Sequence, residues 1–92
     1  MGFFSDMFSS MEKQGLEMKY GIKRPTDAVD VIRRILDASM DFEERQHHLK
    51  MIIKWLQRLS VANKKGADDA AYVLKEIKRR WSSNLARFDI VL

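Results

Sequence analysis

From Pro25 to the end of the chain one glycine, Gly66, interrupts the sequence, and Pro25 is its single proline. Gly and Pro are the residues that most readily end a helix or turn a chain, so a stretch with so few of them tends to stay helical. The apolar residues of this stretch are also spaced for helix. In "ADDAAYVLKEIKRRWSSNLARF", Ala70, Leu74, Ile77, Trp81, Leu85 and Phe88 recur three or four positions apart. That spacing puts them on one helix face. The fold class expected is all-α: a small helical bundle, with an N-terminal amphipathic helix and a long antiparallel helical hairpin.

The first arm of the hairpin is expected over residues 26–60. Thr26 is placed to act as N-cap, and Asp27 and Asp30 in the first turn favour the positive end of the helix dipole. Ala28, Val31 or Ile32, Ile35 and Leu36 give an apolar stripe. In "ASMDFEERQ", Asp41 with Glu44 resembles a capping box. The helix can run unbroken from about 26 to 60, or kink near Ser39 to Asp41 and restart; no Gly or Pro forces a break there, so one long or kinked helix is the favoured expectation. Leu49, Ile52, Ile53, Leu56 and Leu59 continue as core candidates. The polar loop "NKKG" ends at Gly66, and Asp68 or Asp69 opens a helix over residues 67–88. The terminal "DIVL" is expected to dock as a tail or short strand. Residues 1–92 form one domain, small enough that its stability margin is thin.

The opening "MGFFSDMFSSMEKQG" carries three Phe and three Met in its first eleven positions. Asp6 spoils a secretory signal and also the Ser or Thr that N-myristoylation requires at that place. Phe4, Phe8, Met11, Gly15 and Met18 fall on one helical stripe, with Phe3 and Met7 beside it. Residues 1–20 therefore read as an amphipathic docking helix. Its face can close the domain's own core, or meet another subunit or partner, since Phe and Met make adaptable contact surfaces. A membrane surface is disfavoured, because Asp6, Glu12 and Glu17 on the polar face would repel anionic lipid. No run is long enough to span a bilayer.

The net charge is +4, and its distribution is uneven. Ten Lys and Arg lie between Arg45 and Arg80, against Asp68, Asp69 and Glu76. Lys50, Lys54 and Arg58 stand four apart on one helix face, with Lys64 and Lys65 in the following loop. Such a set can follow a phosphate backbone, although a solvated helix back has the same composition. Lys78, Arg79 and Arg80 point three ways and cannot form one patch. Residues 45–60 also resemble a basic amphipathic target peptide, a pattern that a core helix with a charged back shares. Trp81 lies on the clean stripe. Trp55 is expected at the core's edge, where Trp commonly anchors an interface.

Glu44 and His47 form E-x-x-H, which in helical bundles can hold a metal. The chain's two histidines, His47 and His48, are adjacent, further ligands are not evident, and solvated histidines are the better account. There is no cysteine, no Gly-rich phosphate loop and no convincing Ser-His-Asp arrangement. No metal, other cofactor, catalytic residue or small-molecule substrate is expected. Lack of cysteine is compatible with the cytoplasm, the expected location. Brevity and lack of catalytic motifs are features shared with small accessory proteins of phages and mobile elements.

Two functions follow as expectations. The first is a non-enzymatic interaction module of accessory, adaptor or inhibitor type, self-associating and binding or occluding a protein partner. Its apolar anchors would be Phe3, Phe4, Met7, Phe8 and Met11, with Trp55 at the rim. The alternative is a nucleic-acid-binding protein using Lys50, Lys54, Arg58, Lys64 and Lys65.

Overall fold

The computed structural model describes residues 20–92. These residues form three helices, with no strand among them: α1 (Asp27–Asp37), α2 (Phe42–Ser60) and α3 (Ala67–Ala86). The amphipathic helix expected over residues 1–20 lies, apart from Tyr20, outside the described residues. No described helix is long and apolar enough to cross a membrane.

Entry into α1 differs from expectation in its capping. Thr26 already has helical angles (φ −63°, ψ −26°) and makes no side-chain cap bond. An N-cap needs extended backbone to aim its oxygen at the free N–H groups, so Thr26 cannot serve. Asp27 reaches backward instead, its Oδ2 accepting from the backbone N–H of Lys23 and of Arg24, each at 3.0 Å. Those two bonds hold the Asp27 carboxyl below the usual carboxylate range.

Of the two options for residues 26–60, the structure has the break near Ser39 to Asp41 with a restart, and two helices result rather than one. Ala38 (φ −75°, ψ 150°) and Asp41 (φ −60°, ψ 153°) are extended. Asp41 occupies the N-cap position, and the Arg45 N–H donates to its carbonyl at 3.0 Å. Its side chain makes no cap bond, so the capping box expected with Glu44 does not form. The break needs no Gly or Pro because packing supplies its cause. Ala28, Val31, Ile32 and Ile35 of α1 share one core with Leu49, Ile52, Ile53 and Leu56 of α2. Ser39 and Asp41 at the junction are weak helix formers, which lowers the cost of leaving the helix.

The two longer helices, joined by residues 61–66, pack on each other more extensively than either does on α1. Gly66 precedes α3 with φ 96°, a conformation side-chain-bearing residues avoid. Asp68 and Asp69 sit in the first turn of α3. The α3 stripe is close to expectation, with two shifts. Val73 is buried, whereas Leu74 is half-buried. Trp81 leaves helical geometry (φ −131°, ψ 21°) and is also half-buried.

Past the end of α3 the chain forms a Schellman turn. The Ile90 N–H donates to the Leu85 carbonyl at 3.1 Å, and that of Asp89 to Ala86 at 3.1 Å. Asp89 takes the left-handed conformation (φ 60°) that this turn requires. Leu85 and Ile90 are both buried, as the apolar contact of the motif demands. The terminal residues thus dock as a tail, with Phe88 and Ile90 in the core and Leu92 packed against it.

Candidate functional site

The buried stripe of α2 decides what its opposite face can offer. Leu49, Ile52, Ile53, Trp55 and Leu56 are buried. On the opposite face Lys50, Lys54 and Arg58 are exposed, and their i, i+4 spacing puts them on one side of the helix. Their Cα atoms rise about 6 Å from one to the next along the axis. Lys64 and Lys65 are exposed in the loop that follows. All five basic positions read from the sequence therefore face solvent.

An open concavity of about 620 Å³ lies at this loop, lined in part by Lys64, Lys65, Gly66, Asp68 and Asp69. Its two cations stand beside the two acids of the first turn of α3. Those acids weaken any pull that the loop exerts on an anion, because like charge disfavours the anion at the dipole's positive end.

Trp55 corrects an expectation. It is 8% exposed and belongs to the core, so it has little surface to give a partner. The cause is that α2 packs against both α1 and α3. A helix enclosed from two sides buries a wider stripe than a surface helix does, and the position flanking Leu56 falls inside it. Phe3, Phe4, Met7, Phe8 and Met11 lie outside the described residues.

The start of α2 is occupied by the chain's own tail. The Phe42 and Phe88 rings stack at 4.8 Å, 17° from parallel. Gln46 Nε2 donates to the Phe88 carbonyl at 2.7 Å. Arg45 lies over the Phe88 ring at 5.6 Å, and its Nη1 donates to the Leu36 carbonyl at 3.3 Å. That guanidinium thereby sits at the negative end of α1. Its Nε is buried with no hydrogen-bond partner.

Glu44 and His47 of the E-x-x-H motif are exposed. Among the described residues, no three His, Asp or Glu side chains converge as a metal site would need. His48 points elsewhere: the Tyr20 hydroxyl hydrogen-bonds its Nδ1, and the two rings meet edge to face at 5.4 Å. Burial pushes the Tyr20 phenol above its ordinary pKa. This contact ties the chain just after the Phe/Met segment to the side of α2. No sequence pattern foretells it, since pairing across 28 positions leaves no periodic trace.

On α3, Glu76 Oε2 accepts from Arg79 at 2.9 Å and lies 3.3 Å from Arg80 Nε. The two cations hold the Glu76 carboxyl below its usual range, the hydrogen bond from Arg79 contributing most. Tyr72, which no sequence pattern singles out, is 62% exposed on the outer face of the same helix.

The chain matches no family model, no curated protein and no solved structure. What points to a function is therefore its own residues.

Proposed function

We propose that this protein is a small non-enzymatic interaction module that self-associates and binds or occludes a protein partner through residues 1–20. The observation that carries this reading is the concentration of Phe3, Phe4, Met7, Phe8 and Met11 within eleven positions. Apolar side chains at such density gain most from burial against another surface. Two structural facts support it. The described residues pack a core of their own, from Ile22 through all three helices to Ile90. The Tyr20–His48 contact anchors the end of the segment beside α2, so a partner held by residues 1–20 would be held next to the folded domain. The finer architecture belongs with this reading: an amphipathic first helix in addition to an antiparallel α2–α3 hairpin.

Light scattering coupled to size-exclusion chromatography tests it. Placing Asp at both Phe4 and Phe8 of the full chain should dissociate the assembly while leaving helix content and the unfolding midpoint unchanged. Unaltered assembly in that variant would refute the proposal.

A second reading rests on the exposure of Lys50, Lys54, Arg58, Lys64 and Lys65. In it this face binds nucleic acid, with an affinity that falls steeply with salt. Lys54→Glu with Arg58→Glu should abolish that binding without unfolding the protein. Binding indifferent to both charge reversals would exclude it.

A further inference from the structure

α3 presents a second basic face, and this one carries an aromatic ring. Tyr72, Lys75 and Arg79 occupy positions i, i+3 and i+7, so they lie on one side of the helix. That side is opposite to the buried Ala70, Val73 and Ile77. All three outer residues are exposed, as is Lys78 on the flank. Between Asp69 and Asp89 the chain carries five cations (Lys75, Lys78, Arg79, Arg80 and Arg87) and one acid, Glu76. Glu76 is engaged by Arg79 and Arg80. Arg79 nevertheless keeps 68% of its side chain exposed. Exposed i, i+3 pairs are worth little, so a phosphate can share or displace that contact. Asp68, one turn before Tyr72, bounds the face at its N-terminal end.

We propose that this outer face of α3 binds single-stranded nucleic acid, with Tyr72 stacking on an unpaired base and Lys75 and Arg79 holding the neighbouring phosphates. Charge complementarity selects a polyanion, and the exposed ring selects among polyanions. A base offers a π-face to Tyr72; an acidic peptide or a bare phosphate chain does not. The strand must be single, because bases stacked inside a duplex present no free face to an exposed side chain. Along the axis Lys75 stands about 4.5 Å and Arg79 about 10.5 Å from Tyr72, so the cations continue from the ring along one line. Recognition of this kind tolerates many sequences, since every base has a π-face. The proposed partner class is the one named in the second reading above, but the residues are different, so the two can fail separately.

The test is fluorescence anisotropy of a labelled thymidine oligonucleotide of about 16 nucleotides with the full-length protein. Binding is expected at low salt and should weaken steeply between about 50 mM and 200 mM. Tyr72→Ala should weaken it by about 5-fold or more, and Tyr72→Phe should restore it. Lys75→Glu with Arg79→Glu should abolish it. Tyr72 is exposed, so its replacement should leave the unfolding midpoint unchanged. Inorganic polyphosphate, which has charge but no base, should bind Tyr72→Ala as well as it binds the native chain. The proposal is overturned if the oligonucleotide does not bind at low salt. It is equally overturned if Tyr72→Ala binds normally, or if only the Lys54→Glu/Arg58→Glu variant loses binding; that last result would leave the second reading standing alone.

Discussion

The two corners of the molecule turn the chain by different means. Between α1 and α2 no glycine takes part. Residues 38–41 are flanked by contacts that join the two helix ends and the tail: Arg45 donating to Leu36, Gln46 donating to Phe88, and the Phe42 ring stacked on Phe88. Between α2 and α3 the backbone does the turning. Gly66 supplies a φ of 96°, and Val61 at the other end of the loop is left 85% exposed. One corner is flanked by side-chain contacts, two of them to Phe88 at the far end of the chain; the other depends on a single residue's conformational freedom. Local chemistry makes the second visible in a sequence and leaves the first hidden.

Removing the side chain on which the first corner converges should have the largest effect. Phe88→Ala deletes a buried ring together with its stack on Phe42 and its contact with Arg45. About 3–5 kcal/mol of stability should be lost in urea denaturation, and a loss below about 1 kcal/mol would show that the corner stands without the tail. Gly66→Ala attacks the second corner alone. An added Cβ would sit 3.7 Å from Leu59 Cδ2 and 3.9 Å from Pro25 Cγ, ordinary contact distances. Its cost is therefore conformational, about 1–2 kcal/mol, and Gly66→Asn should cost less than Ala in the same denaturation series.

Asp27 sharpens the comparison at the start of α1, where a side chain again does the work of a cap. Asp27→Ala should cost about 1 kcal/mol. Because the folded protein lowers the carboxyl's pKa, that contribution is complete above the unfolded value of about 3.9 and fades as the pH falls through the lower folded value. Thermal melts across the acid range should show the native and Asp27→Ala proteins converging in acid; parallel curves would mean the two backbone bonds contribute nothing. The smallest change should be a gain. Asp89 holds a left-handed conformation that glycine adopts without penalty. Asp89→Gly is therefore expected to stabilise by up to about 1 kcal/mol, read as a small rise in the unfolding midpoint.

Much of the candidate basic face is legible in the sequence, because i, i+4 spacing alone puts Lys50, Lys54 and Arg58 together once the segment is helical. Tyr72 has no such sign. A tyrosine within this helix becomes notable only when Val73 beside it is seen to be buried and it is not. Trp55 shows the reverse: a residue beside the main stripe is drawn inward because α2 is covered by two helices rather than one.

By itself the sequence determined the helical class, the turn at Gly66, the start of α3 and most of the buried stripes, since each depends on residues within a few positions of one another. Tertiary structure alone decided the break at residues 38–41, the backward cap at Asp27, the burial of Trp55 and the contact between Tyr20 and His48. For the break, the inward Trp55 and the Tyr20–His48 pair, the deciding partners lie many residues away or on another helix, and packing has no period along the chain. The cap at Asp27 is local, but its direction follows from how the chain enters α1, which Thr26's helical backbone had already settled.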